Sequence, residues 1–176
     1  GIGPSYRDKI ARVGIRVIDY LDDEIFNERA IANIRDLLTP YAKPEEIRMI
    51  EEQTLSDQET LAPFLKSLSG DVSLEIHNAL ERGRRVILES AQGTFLDVDF
   101  GTYPYVTSSN PLAGYAPCGV GIGPQSIEVV LGIAKLFTTR VGEGPFPTEL
   151  QGELAHQIRE TGQEYGATTG RPRRIG

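Results

Sequence analysis

The order helix, strand, polar loop, helix, strand predicts an α/β chain with a helical insert, and three features carry that prediction. The acidic stretch of residues 17–81 is written in helical periods. A short apolar run at residues 85–90, RVILES, follows Gly83 as a buried strand would. The second half then alternates Gly-rich polar loops with apolar segments, the pattern of sheet edges and their connections. In open α/β sheets ligands gather at the carboxyl ends of strands, so the polar loop after RVILES is the first place to look for a site.

Each element has its own signal. Gly1 to Pro4 reads as a loop, and Ser5 or Tyr6 leads into a short helix through Arg12. Ile25, Phe26, Ala30, Ile34 and Leu37 recur near the 3.6-residue period and predict one apolar face on a helix that Thr39-Pro40 ends. Pro44-Glu45-Glu46 opens another helix, with proline in the first turn and acids beside the positive end of the helix dipole. Asp71 is placed to cap a third, which runs to Arg82 and stops at Gly83. Residues 124–137 predict a helix with Ile127, Val130, Leu131 and Ala134 turned inward. A strand is expected at residues 138–141 and a last helix at residues 149–160.

Composition narrows the function classes. A length of 176 residues suffices for one domain with a core but is short for a multi-substrate enzyme with a separate cofactor domain. Hydrophobic residues at 39 % and charged residues at 24 % are ordinary usage, which sets aside disordered, collagen-like and coiled-coil classes. No stretch approaches the roughly 18 apolar residues of a membrane span. One cysteine, Cys118, excludes an intramolecular disulfide and a cysteine-rich zinc site, so a reducing, cytoplasmic setting is expected. The net charge of -7 is unevenly spread: residues 17–81 hold 15 Asp/Glu against 5 Lys/Arg, so the flanks are net positive. Arginine outnumbers lysine 14 to 4, which suits bidentate binding of phosphate and carboxylate. The overall acidity speaks against a nucleic-acid surface.

Four segments are too rich in Gly, Ser, Thr and Arg to be plain connections: residues 1–16, residues 89–110, residues 119–124 together with 139–149, and residues 165–174. Glycine exposes backbone N–H groups which, with Thr and Ser hydroxyls, can cradle phosphate, and arginine adds charged forks. A glutamine amide such as Gln92 offers both donor and acceptor, which suits the edge of a purine ring. Turns, helix caps and a solvated tail explain the same segments equally well when each is taken singly. His77 and His156 sit in amphipathic helices without matching carboxylate spacing, so packing or surface placement is expected over metal ligation. Cys118 follows Pro117 with no histidine nearby and reads as unreactive. Asp97 and Asp99 could form a carboxylate pair, with turn-making or capping as the plainer role. No Walker-type G-x-x-x-x-G-K-[ST] string occurs.

Read together and in order, GIGPSYRDKIARVGIR, ESAQGTFLDVDFGTYPYVTSSN, TTRVGEGPFPTEL and EYGATTGRPRRIG resemble adenylosuccinate synthetase, from the first residue to the last and most weakly through the acidic insert. The resemblance implies a P-loop-NTPase-related fold with a mostly parallel sheet flanked by helices, divided as residues 1–16 (an IMP-phosphate loop and helix), 17–84 (the helical insert) and 85–176 (a sheet core with IMP and aspartate loops). It also implies a GTP-dependent ligation of IMP and L-aspartate through 6-phosphoryl-IMP, with Mg2+ as cofactor. By the same likeness Arg12 contributes to the IMP 5′-phosphate of a neighbouring subunit in a homodimer. Gln92 is the catalytic amide at the purine 6-oxygen, Thr107 binds the 5′-phosphate, and Val141 contacts the ribose. Ala167, Thr168, Thr169, Gly170, Arg171 and Arg173 form the aspartate loop, Arg171 also reaching the ribose and Arg173 the GTP side.

The family's N-terminal nucleotide loop, with its aspartate, magnesium ligand and histidine, has no counterpart here, and neither has its guanine-recognition segment. The chain is therefore expected to be a central segment of the enzyme that does not catalyse by itself, with the Mg2+ ligands outside it. A non-catalytic purine-nucleotide-binding domain is the alternative. Neither nucleic acid nor membrane is expected as a partner.

Overall fold

The computed structural model describes residues 2–166 and 170–176. The backbone divides into two compact units, Gly1–Glu75 and Ile76–Gly176.

The first unit is helical. α1 (Gly3–Ala11) starts with Pro4 in its first turn and ends at Arg12, whose φ of 64° is left-handed and whose N–H returns to the Asp8 and Lys9 carbonyls. α2 (Val17–Tyr20) is a single turn. α3 (Asp23–Leu38) begins where the Asp22 carboxylate accepts the Ile25 N–H at 3.0 Å, with Asp23 and Glu24 in its first turn. α4 (Pro44–Leu68) opens on proline, and the Glu46 carboxylate accepts the Lys43 N–H at 2.8 Å.

α3 packs on α4 through a small core. Phe26 and Ala30 are buried, and Tyr20 meets Phe26 edge-on at 4.9 Å. Gln58 is buried with its amide nitrogen donating to the Tyr20 carbonyl and the Asp23 carboxylate, each at 2.9 Å, so the polar group is satisfied. Arg35 grips buried Glu51 with two nitrogens at 2.7 and 3.2 Å. The apolar face expected of α3 is only partly buried, because Ile25 and Leu37 remain exposed.

α5 (Val72–Glu81) spans the junction of the two units. Its signals read as expected: the Asp71 carboxylate accepts the Leu74 N–H at 3.0 Å, and Gly83 takes a φ of +68° where the chain leaves the helix.

The second unit continues with short turns of 3₁₀ helix at Thr94–Leu96, Ala113–Tyr115 and Pro124–Ser126, α6 (Ala116–Val120), β1 (Thr139–Arg140), α7 (Gly152–Thr161) and β2 (Arg174–Ile175). β1 and β2 pair antiparallel, Thr139 opposite Ile175 and Arg140 opposite Arg174. Ile175 is fully buried, and Ala155 of α7 is also part of the core.

Two expectations are corrected here. The helix predicted for residues 124–137 is one 3₁₀ turn followed by irregular chain. Gly132 interrupts the run, its β-branched residues are weak helix formers, and Val129, Val130, Leu131 and Ile133 are exposed instead of buried. RVILES forms no ladder, and Ile87 is 90 % exposed. A strand requires a neighbour for its N–H and C=O groups, and among the described residues none pairs with it. No parallel pairing occurs among the described residues, whose sheet is a two-stranded antiparallel ribbon.

Candidate functional site

The loop after RVILES is folded around one carboxylate. Gln92 enters it with a φ of 57°, a left-handed conformation that a non-glycine residue keeps only when its surroundings impose it. The chain then makes the Thr94–Leu96 turn and delivers Asp97, fully buried. Asp97 Oδ1 accepts the N–H groups of Asp99 at 2.9 Å and Phe100 at 3.0 Å and the Asn110 amide at 3.3 Å. Burial pushes the Asp97 carboxyl up, but these donors prevail and hold it below the ordinary aspartate range. Asn110 also donates to Asp99 at 2.6 Å, which fastens both ends of the loop.

Between those ends, Thr107 N–H donates to the Leu96 carbonyl at 2.8 Å and Val98 N–H to the Ser109 carbonyl at 3.2 Å. Thr107 is thereby carried beside the turn that follows Gln92. Gly101 is indispensable to the fold of this loop: a Cβ there would stand 2.4 Å from the carbonyl oxygens of both Asp97 and Phe95. Of the two readings of Asp97 and Asp99, turn-making is the one realised.

The second group of predicted residues sits on the β1–β2 ribbon. Tyr165 and Pro172 form an antiparallel bridge, Gly166 N–H donates to the Arg171 carbonyl at 2.8 Å, and Gly170 has a φ of +62°. Ala167, Thr168 and Thr169 lie outside the described residues. Arg171 Nη1 comes to 4.0 Å of the point where a Cβ on Gly142 would stand, so Arg171 lies beside the segment that begins with half-exposed Val141. Arg173 turns to buried Glu164, Nη1 to Oε2 at 2.6 Å.

Arg174 makes a two-pronged pair with Glu149 and donates to the carbonyls of Gly142 and Gly144, each at 3.0 Å. The Arg174 bond holds the Glu149 carboxyl below its usual range despite burial, and Glu149 in turn raises Arg174. Arg174 is therefore a scaffold residue.

Arg140 joins the two groups. Its Nη2 donates to the Tyr105 carbonyl at 2.7 Å and to Thr102 Oγ1 at 2.9 Å, while its Nε holds the Glu143 carbonyl at 3.0 Å. One guanidinium thus binds the Thr107 loop to the Val141–Gly142 turn. Sequence reading did not single out Arg140 or Glu164; the only signal was their position inside strings that are otherwise Gly- and Thr-rich. Arg12 belongs to the first unit, exposed at the left-handed end of α1, and the other predicted residues belong to the second.

The remaining candidates take their plainer roles. Residues 119–123 form the end of α6 and its left-handed cap at Gly121, φ 73°. His156 lies on α7 at 3.9 Å from Glu160, and Cys118 is exposed. Among the described residues no three His, Cys, Asp or Glu are grouped to hold a metal ion, and no helix is long and apolar enough to cross a membrane.

Comparison with known proteins agrees with this geometry. The sequence profile of the family described as adenylosuccinate synthetase matches residues 1–176. Among curated proteins, the adenylosuccinate synthetases of Endomicrobium trichonymphae and of Lactococcus lactis subsp. lactis are 51 % and 52 % identical over the whole chain. The chain spans 41 % of the length of each. Among solved structures, the fully ligated adenylosuccinate synthetase from Plasmodium falciparum superposes with a TM-score of 0.88 at 38 % identity, over 99 % of this chain and 41 % of that one.

Proposed function

Because the chain belongs to the adenylosuccinate synthetase family, we propose that it is the substrate-positioning segment of an enzyme that joins IMP and L-aspartate at the expense of GTP. In this reading the GTP γ-phosphoryl group passes to the purine 6-oxygen, and the aspartate amine then displaces that phosphate at C6 to give adenylosuccinate. Residues 1–16 serve the IMP phosphate, residues 17–84 are a helical insert, and residues 85–176 carry the IMP and aspartate loops as part of a mostly parallel, P-loop-related sheet. The enzyme acts in the cytoplasm as a homodimer.

Each role follows from the chemistry of the side chain. Gln92 presents its amide to the 6-oxygen as charge develops there, and a donor preset in that place favours the transition state over the ground state. Its left-handed backbone supports this assignment, since strain is retained where the surrounding structure dictates a direction. Thr107 gives a hydroxyl to the 5′-phosphate, Val141 a backbone contact to the ribose, and Arg12 a guanidinium to the 5′-phosphate in the neighbouring subunit. Arg171, Arg173, Gly170, Ala167, Thr168 and Thr169 receive the aspartate carboxylates, with Arg171 also at the ribose and Arg173 at the GTP side.

Magnesium supplies charge neutralisation on the GTP phosphates when bound. Among the described residues no three His, Cys, Asp or Glu are grouped to hold a metal ion, and the family likeness assigns its ligands outside this segment. We do not expect residues 1–176 alone to turn over substrate.

The observation that carries the proposal is the Arg140 junction, which ties Thr102 and Tyr105 of the loop after Gln92 to Glu143 beside Val141. Gln92→Ala in the full-length protein should lower kcat by about two to three orders of magnitude, the scale of one lost transition-state donor. An unchanged kcat would remove Gln92 from the mechanism.

A further inference from the structure

Glu164 stands immediately before the Tyr165–Pro172 bridge, and it is only 5 % exposed. Two cations share its carboxylate: Arg173 Nη1 reaches Oε2 at 2.6 Å and Lys135 Nζ reaches Oε1 at 2.6 Å. Lys135 is itself held by Thr139 Oγ1 at 2.9 Å. The backbone repeats the connection, with Arg173 N–H donating to the Glu164 carbonyl at 3.0 Å and Arg159 Nε to the Arg173 carbonyl at 2.8 Å.

Burial disfavours the Glu164 anion, but the Lys135 and Arg173 bonds outweigh it and keep the group ionised. One carboxylate between two cations leaves the trio net positive. The Arg173 side chain, 30 % exposed, keeps part of its fork open to solvent beyond the anchored nitrogen. A carboxylate that fixes one guanidinium nitrogen removes rotamer freedom from a long side chain before any ligand arrives.

Resting on the function proposed above, we infer that Glu164 is a positioning residue that aims the Arg173 guanidinium at the carboxylates of the amino-acid substrate. Lys135 balances the buried charge and is not required for the aim. Glu164 thereby differs from an ordinary structural ion pair, because its effect must pass through Arg173 and fall on the substrates Arg173 serves and not on IMP.

The test is a double-mutant cycle in the full-length protein, reading KM for aspartate, KM for IMP and kcat. Arg173→Ala raises the aspartate KM and sets the scale. Glu164→Gln raises it about tenfold, the size of a charge-assisted hydrogen bond partly lost, with IMP KM and kcat within about twofold. The double variant is no worse than Arg173→Ala alone, since a group acting through another has nothing left to act on. Lys135→Met leaves the aspartate KM within about twofold. If Glu164→Gln fails to fold, Glu164→Asp replaces it, keeping the charge but shortening the reach, and the same rise and the same non-additivity are expected. Additive effects in the double variant, an unchanged aspartate KM in a folded Glu164 variant, or an equal loss in Lys135→Met would overturn the inference and leave the Arg173 assignment standing. An Arg173→Ala variant with unchanged aspartate and GTP KM would instead overturn the role given to Arg173, and the inference with it.

Discussion

Replacing Gly101 by alanine adds one methyl group at the most crowded point of the Thr107 loop. Its Cβ would stand 2.4 Å from the Asp97 and Phe95 carbonyl oxygens and 2.9 Å from the Asp97 nitrogen, all backbone atoms that no rotamer change can move. To reach even a tight contact near 3 Å, both carbonyls must retreat by roughly 0.6 Å, and overpacking of this kind costs about 1–3 kcal/mol. That movement also loosens the bonds from Gly101 N–H to the Asp97 carbonyl at 2.8 Å and from Thr102 N–H to the Phe95 carbonyl at 2.9 Å. Each is worth about 1 kcal/mol net, so a total loss near 3 kcal/mol is expected.

The displacement should propagate to Thr102, which binds Arg140, and to the Leu96 carbonyl that holds Thr107. Urea unfolding of the full-length protein reads the first effect, and titration calorimetry with IMP the second, expected as an affinity loss of about tenfold or more. Gly119→Ala is the control: a Cβ there meets nothing within 4 Å and sits in α6, so stability should hold or rise slightly. A Gly101→Ala protein with unchanged unfolding midpoint and unchanged IMP affinity would refute the picture of a loop locked around Asp97.

Gln92→Gly and Gln92→Ala should lose turnover equally, since both lack the amide, yet glycine should be the more stable of the two by about 0.5–1 kcal/mol. A left-handed non-glycine residue costs about 1–2 kcal/mol, offset in part by glycine's freer unfolded chain; a less stable glycine variant in urea unfolding would contradict the strain at this position. Acid should destabilise the second unit: Asp97, Glu149 and Glu164 all titrate below their ordinary values of 3.8, 4.5 and 4.5 in the fold. Stability from depressed carboxyls is full above the unfolded values and is lost as pH falls through the folded ones, so the unfolding midpoint should hold near neutrality and drop below about pH 5; a flat midpoint down to pH 3 would count against these contacts. Mixing Arg12→Leu subunits with inactive Gln92→Ala subunits should restore part of the activity if Arg12 crosses to its neighbour's site, whereas no rescue would place Arg12 elsewhere.

What was legible in the sequence was local. Pro44, Asp71 and Gly83 mark helix ends through their own backbone preferences and first-turn bonds, and α4 and α5 begin and end where those residues say. The runs at residues 85–90 and 124–137 mislead because an apolar run states that a partner is needed without stating where the partner is. The site divides in the same way. Gln92, Thr107 and the arginine-rich segment at residues 171–174 are proposed from their strings. The buried hub at Asp97, the Arg140 junction and the Glu164 anchor each depend in part on neighbours 9 to 38 positions away, which spacing along the chain does not encode.

The central claim is that this chain positions IMP and aspartate for a GTP-driven ligation. Incubating the full-length protein with IMP, aspartate and GTP, and following adenylosuccinate by its absorbance and by mass, tests it most directly. The account predicts product that requires all three substrates and falls by about two to three orders of magnitude in the Gln92→Ala protein. Product formed without GTP or aspartate, or no product from a folded full-length protein, would contradict it.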